Sequence, residues 1–332
     1  MLWIEKYRPQ SLGEVAGQER VVRHLLRFAG ERSLPHLLVT GPHGTGKSAA
    51  VECLARGLYG EAWTGNTTIL DASALFLQGK GSLAADERFA HLYRRDESLS
   101  ANFKRILRWY ASMRPLGAEF KILVLEGAHS LPREIQQALR RTLERYSATC
   151  RFILCTTNQS AIIPAIGSRC LPLTFSPVEG AVILRTLARI LDAEAPGRWR
   201  ELQEEVEILV HAAGGDLRKA TMLAQLLVES GKRAGTAEIA TPETGNVAIQ
   251  AVRSMRAGDF AAAQRTCESL LIDYGLSGRE ALREIHRAIR QEYHDPRMVR
   301  ILGDADHAMG RAGNEFVQVN ALIARAIREV FT

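Results

Sequence analysis

Gly41-Pro42-His43-Gly44-Thr45-Gly46-Lys47-Ser48 follows the spacing GxxxxGK[ST], a pattern whose chemistry is the grip of phosphate oxygens. Glycines at such positions let backbone N–H groups turn inward around an anion, and the N-terminus of a following helix adds favourable potential. Lys47 is placed to reach the β- and γ-phosphates of a nucleotide, and the Ser48 hydroxyl to help hold Mg²⁺. All eight residues from Gly41 to Ser48 are therefore candidate contacts, with ATP and Mg²⁺ as the expected cofactors.

A nucleotide site of this kind also needs an acid for the metal and, for hydrolysis, a base that orients water. Ile122-Leu123-Val124-Leu125-Glu126-Gly127-Ala128-His129 is the candidate strand end. Glu126 stands where the metal acid belongs, but Gly127 follows it and has no side chain to activate water. His129 is a poor substitute on spacing alone, since its reach from the strand end differs. The site reads as equipped to bind ATP and badly equipped to cleave it. A Gly127→Glu change is expected to return some activity if Glu126 still positions the metal.

The elements that hold these residues follow from hydrophobic patterning. His36–Thr40, Thr67–Leu70, Phe120–Leu125 and Arg151–Thr156 are short β-branched or leucine-rich runs, and amphipathic stretches such as Ala49–Leu58 and Ser130–Tyr146 lie between them. Alternation of this kind implies a parallel sheet covered by helices on both faces. Strand signals stop near residue 175. Val206, Leu209, Val210 and Ala213 form an apolar stripe ended by Gly214-Gly215, and Asp216 can cap the next helix. Gly231–Asn246, with Gly235, Pro242 and Gly245, has the composition of a linker. Residues 247–331 give further amphipathic helices, with breaks near Gly258, Gly275 and Asp295-Pro296.

Composition narrows the class. The 332 residues are 46% hydrophobic and 24% charged, as in ordinary globular proteins. The opening Met1–Pro9 lacks the apolar core and cleavage site of a signal peptide, and no apolar run approaches membrane-spanning length. A cytoplasmic protein without a membrane partner is expected. Five scattered cysteines without CxxC pairs read as small buried hydrophobes rather than zinc ligands or disulfides. A net charge of +6 and a pI near 9.2 are compatible with a polyanionic partner without requiring one.

Several segments together resemble the small subunits of replication factor C, the AAA+ sliding-clamp loader. Trp3-Ile4-Glu5-Lys6-Tyr7-Arg8-Pro9 with Val15-Ala16-Gly17-Gln18-Glu19 resembles the N-terminal box beside the adenine pocket. Gln136–Tyr146 is similar to the helix after the second strand, and Ile162–Cys170 carries the Ser-Arg-Cys motif. Gly215-Asp216-Leu217-Arg218-Lys219-Ala220 is similar to the lid motif. The resemblance implies an α/β AAA+ parallel-sheet P-loop domain over residues 1–174, a helical lid over 175–236 and an all-α collar over 237–332. It further implies membership of a hetero-pentameric ring that opens a sliding clamp and loads it on primer–template DNA. By the same resemblance Tyr7, Arg8 and Pro9 flank the nucleotide, Arg218 senses it from the lid, and Arg169 is a finger acting in trans on a neighbour's ATP.

Three departures mark the chain within this pattern. Glu126-Gly127-Ala128-His129 replaces Asp-Glu-Ala-Asp, which puts the chain's own hydrolysis in doubt. Aligned from Arg151 to Cys170, the first-sensor asparagine falls on Thr157, with Asn158 one place later, and either side chain could orient water or phosphate. Asp71–Ser100 is longer than usual and contains Gly79-Lys80-Gly81, the mark of a mobile insertion. The combination resembles a divergent second small subunit of archaeal type.

Asn102–Tyr110 carries two further readings. Ile106, Trp109 and Tyr110 have the h-x-x-a-a spacing by which a helical turn plugs a clamp's hydrophobic pocket, and equally the spacing of core residues. Lys104, Arg105 and Arg108, with Arg133, Arg140 and Arg141 on the next helix, suit sequence-independent DNA phosphate contacts or a solvated surface. Two rival functions remain: a purely structural ATP-bound subunit of the same ring, and a stand-alone P-loop NTPase, for which a collar and Arg169 have no use.

Overall fold

Leucine- and β-branched-rich runs that alternate with amphipathic stretches have one low-energy arrangement, a sheet covered on both faces. The computed structural model describes residues 1–79, 86–230, 243–293, 295–311 and 313–331, which fall into two compact units, Met1–Gly231 and Lys232–Thr332. In the first unit, β1 (Leu37–Thr40), β2 (Thr67–Asp71), β3 (Lys121–Glu126), β4 (Cys150–Thr156) and β5 (Leu171–Thr174) form one sheet. Its order is β2-β3-β4-β1-β5, and each neighbouring pair is parallel. The sequence did not single out β5, because Leu171-Pro172-Leu173-Thr174 is short and carries a proline. Its place at the sheet edge tolerates the missing N–H.

Among helices of twelve or more residues, α1 (Glu19–Gly30), α2 (Lys47–Tyr59), α3 (Leu99–Ser112) and α4 (Arg133–Arg145) cover the sheet. Side chains alternate across a strand, and the two cores record it. Leu123, Leu125, Phe152 and Leu154 pack with Phe103, Ile106 and Leu107 of α3 and with Ile135, Leu139 and Leu143 of α4. Their neighbours Ile122, Val124, Ile153 and Cys155 pack on the opposite face, with Leu25 of α1 and Val51 and Leu54 of α2. Because both faces are covered, β1, β3 and β4 are buried throughout or nearly so, and their C-terminal ends emerge together at one rim. That rim holds the site.

α5 (Gly180–Glu194), α6 (Trp199–Ala213) and α7 (Leu217–Ser230) complete the first unit. Gly214 ends α6 in the left-handed conformation, φ 58°, and Asp216 Oδ1 accepts from Lys219 N at 2.8 Å, capping α7 as its position predicts. The second unit is helical: α8 (Glu243–Arg256), α9 (Phe260–Ile272), α10 (Gly278–Glu292), α11 (Pro296–Met309) and α12 (Glu315–Ala326). Ser277 and Glu280 form a capping box on α10, and Asp295 caps α11 with Pro296 in its first turn. The expected linker lies outside the described residues up to 242, while Gly245 and Asn246 belong to the first turn of α8. Of the expected insertion, residues 80–85 lie outside the described residues, and Phe89 is buried in the core. All five cysteines are buried thiols.

Candidate nucleotide-binding site

β1 delivers the phosphate loop. Its chain leaves the sheet at Thr40 and enters α2 through Gly46, whose left-handed φ of 92° caps the helix. Gly44 is needed for a different reason. A Cβ there would lie 1.6 Å from Asp216 Oδ1, so the loop and the start of α7 pack too closely for any side chain. Leu217 N also donates to Gly44 O at 3.1 Å. The Lys47 ammonium donates to Gly41 O at 2.9 Å and Pro42 O at 2.5 Å. Burial holds its pKa below the ordinary lysine range; Cys155 and Glu126 oppose the shift, and Arg218 adds to it.

A cavity of about 710 Å³ opens beside the loop, within the roughly 300–1,000 Å³ of small-molecule sites. Tyr7, Arg8, Pro9, His43, Gly44, Thr45, Gly46, Lys47, Ser48, Glu126, Thr157 and Arg218 all line it. Gly41 and Pro42 are not lining residues and act through the carbonyls that hold Lys47. The N-terminal segment is fastened across the first unit: Trp3 N donates to Gln225 Oε1 at 2.8 Å and the Tyr7 hydroxyl to Glu194 Oε1 at 2.5 Å. Arg8 is ion-paired with Glu52 of α2, yet its Nε is buried without a hydrogen-bond partner. An orphan donor beside a glycine-built anion cradle fits a nucleotide.

Glu126 ends β3, and its register partner is Asp71 at the end of β2; both line the cavity. Asp71 was missed in the sequence, where only an acid closing a strand could have signalled it. No group of three His, Cys, Asp or Glu side chains able to hold a metal exists among the described residues. Mg²⁺ needs only one or two carboxylates together with substrate phosphates, and Glu126 and the Ser48 hydroxyl, which line the cavity, are the residues that would hold it.

The turn after Glu126 differs. Gly127 has a left-handed φ of 60°, and a Cβ there would lie 1.9 Å from Ser73 Oγ. The Ser73 hydroxyl is engaged with Ser130 Oγ at 2.9 Å and with Gly127 O at 3.4 Å. The expectation that Gly127→Glu returns activity meets an obstacle in this turn: the backbone is strained for any side chain, and Ser73 fills the space. His129, set aside on sequence spacing, lines the cavity, its Nδ1 3.4 Å from Thr156 Oγ1.

Of the two sensor candidates only Thr157 lines the cavity. Asn158 is exposed, and its Oδ1 accepts from Ser160 N at 3.1 Å and Ser160 Oγ at 2.7 Å; it caps a turn. Arg169 lies outside the cavity and follows the short helix Pro164–Gly167. Its Nε donates to Glu144 Oε1 at 2.6 Å, and its Nη1 to Ala165 O at 2.8 Å and Ser168 Oγ at 3.1 Å. The side chain remains 33% exposed, so the guanidinium is held but reachable.

Ile106 and Tyr110 are buried in the core, and the Tyr110 hydroxyl donates to Ile122 O at 3.0 Å. Trp109 is half-buried, edge-on to His91 at 4.9 Å between ring centres. The clamp-plug reading of Ile106, Trp109 and Tyr110 gives way to packing, because the helical spacing serves the sheet. Lys104 pairs with Glu134 and Arg105 with Glu97, which spends part of their charge. Arg108 and Arg141 are exposed and Arg140 half-buried; the three form no ion pair among the described residues.

Comparison with known proteins agrees with this architecture. The family profile described as DNA polymerase III, delta subunit, matches residues 17–179, and that of the replication factor C C-terminal domain matches residues 246–325. The replication factor C small subunit of Methanocella arvoryzae is 33% identical over 97% of this chain and 95% of its own length. That of Archaeoglobus fulgidus is 33% identical over 97% and 96%. Among solved structures, the Aeropyrum pernix Orc1 protein in complex with DNA superposes with a TM-score of 0.54 at 16% identity, over 96% of this chain and 94% of that one. A point mutant of Thermotoga maritima RuvB superposes with a TM-score of 0.50 at 15% identity, over 89% and 91%. No helix among the described residues is long and apolar enough to cross a membrane.

Proposed function

Since this chain belongs to the replication factor C small-subunit family, we propose that it is a clamp-loader subunit that holds Mg·ATP without turning it over and lends Arg169 to an adjacent subunit's site. Its fold is α/β, an AAA+ P-loop domain with helical elements after it. We divide it as a nucleotide domain over 1–174, a lid over 175–236 and a collar over 237–332. The observation that carries the proposal is the contrast at the cavity's phosphate end. Lys47, Ser48 and Glu126 are present, while the position that should bring a base is a left-handed glycine pressed against Ser73.

Bound ATP would lie with its phosphates on the loop from Gly44 to Ser48, its magnesium on Ser48 and Glu126, and Tyr7, Arg8 and Pro9 flanking the rest. Mg²⁺ supplies charge neutralisation between the phosphates. Lys47 trades its two backbone acceptors for phosphate oxygens, and Arg218 approaches from α7. Thr157 gives a hydroxyl where a sensor belongs, while position 127, where the base belongs, brings no side chain to draw a proton from water. The site is then a fixed structural charge.

Arg169 supports the second half of the proposal. It has no access to its own cavity, stays partly exposed, and is kept oriented by Glu144. A guanidinium at the protomer surface suits a neighbour's γ-phosphate, where it stabilises developing charge. The partners on this reading are other loader subunits in a hetero-pentameric ring, the sliding clamp and primer–template DNA. Arg108, Arg140 and Arg141 are the DNA-contact candidates with charge to spare, and Lys104 and Arg105 the weaker ones. The test is reconstitution with partner subunits: size-exclusion must show this chain in a larger assembly, and the assembly's ATPase must respond to primed DNA. A chain that stays alone and hydrolyses ATP unaided refutes the proposal.

A further inference from the structure

His129 stands on a turn that Gly127 creates. The left-handed glycine ends β3 and starts the short turn Ala128–Ser130, so one backbone feature leaves no room for a side chain at 127 and sets His129 at the cavity. Its partner fixes its protonation pattern. Thr156 Oγ1 donates to Asn158 O at 3.0 Å and accepts from Asn158 N at 3.0 Å. What Thr156 has left for His129 Nδ1, at 3.4 Å, is a lone pair. The network therefore assigns the proton to Nδ1, which donates, and leaves Nε2 for another partner.

The charged and titratable groups lining the same cavity include His43 and Lys47 from the phosphate loop, Asp71 and Glu126 from the strand ends, Cys155 from β4 and Arg218 from α7, with Glu5, Tyr7, Arg8, Glu14, Arg185 and Arg189 completing the set. Three elements pack on the His129 turn: residues 72–78 and 159–161, which hold no titratable side chain, and β4, which carries Cys150, Arg151 and Cys155, both thiols buried. Histidine is the side chain that changes charge most readily around neutrality. Neutral, with Nδ1 donating, it offers Nε2 only as an acceptor, which phosphate cannot use. Protonated, it gains a second N–H and a positive charge.

We propose that His129 is a proton-dependent ligand for the terminal phosphate of ATP, donating from Nε2 as the imidazolium and losing that donor as pH rises. The assignment rests on the reading that this site holds ATP, and it makes the hold adjustable: acidification tightens ATP relative to ADP. No bond is broken, since the group adds charge to the bound triphosphate and no base.

The test is equilibrium binding of Mg·ATP and Mg·ADP to the full chain at pH of about 8 and about 6, spanning the usual histidine range. The ATP-over-ADP preference of the wild type should rise about fivefold or more on acidification, the worth of one added charge at close range. His129→Gln, which keeps a donor for Thr156, should flatten that rise, and His24→Ala, at an exposed residue outside the cavity, should preserve it. An equal rise in His129→Gln, or its loss in His24→Ala, overturns the assignment. Wild-type chain that binds no ATP at either pH overturns the holding site and this assignment with it, a result distinct from binding whose pH profile ignores His129.

Discussion

The loop after β1 and the turn after β3 line the same cavity and follow different sequence logic. In the loop, left-handed glycines turn the backbone between β1 and α2, and Gly44 is packed against Asp216. In the turn, a left-handed glycine removes a functional group, and Ser73 occupies the volume a side chain would take. On the proposed reading, glycine builds the wall that binds and leaves the other wall without a base. Binding and cleavage use different walls of an AAA+ site, so one can be kept while the other is lost.

The contrast can be broken from either side, and the loop should give the larger effect. Lys47→Ala removes the ammonium aimed at the phosphates, and a charge-assisted interaction of about 3 kcal/mol makes ATP binding about 100-fold weaker. Equilibrium titration checks this; near-normal affinity would mean the loop is not the anion cradle. Arg169→Ala acts elsewhere. It should leave this chain's own ATP affinity within about twofold, because Arg169 does not line the cavity, while a neighbouring site loses about 3 kcal/mol of transition-state stabilisation. Steady-state ATPase of the reconstituted complex with clamp and primed DNA should fall in part. An unchanged rate would remove Arg169 from the finger role.

The turn answers to a smaller, structural change. Gly127→Glu puts a side chain in the left-handed region, at a cost of about 1–2 kcal/mol, before Ser73 is displaced. The variant should show a lower denaturation midpoint and no gain in hydrolysis. Adding Ser73→Gly should recover part of the stability. Brisk turnover by the single variant at full stability would show that this wall is not disarmed by its backbone.

Much of this was legible in the sequence where the physics is local. The phosphate loop announces itself because its glycines, Lys47 and Ser48 are contiguous, and β1, β3 and β4 because fully buried strands are continuously apolar. β5 escaped notice, since an edge strand of four residues with Pro172 has little pattern to read. Ser73 and Asp71 were invisible for another reason. They reach the site from the β2 end, far from Gly127 and Glu126 in the chain, and only strand register brings them together. Ile106 and Tyr110 show the converse, because helical spacing does not say which face meets solvent.

The smallest expected effect concerns the basic helices. Replacing Arg108 and Arg141 with alanine should reduce the salt dependence of DNA binding by the complex by about one unit of slope for each phosphate they neutralise. Lys104→Ala and Arg105→Ala should change it less, since Glu134 and Glu97 already take part of those charges. A slope indifferent to Arg108 and Arg141 would leave them as solvated surface.

The central claim is that this chain holds ATP and does not cleave it. Phosphate release from the purified chain, measured under ATP concentrations that the same preparation is shown to bind, tests it most directly. The predicted result is saturable Mg·ATP binding that Lys47→Ala removes, with release no faster than in that variant. Sustained release from the wild type that Lys47→Ala abolishes would contradict the claim, and would mean that a group on the β3–β4 wall activates water after all.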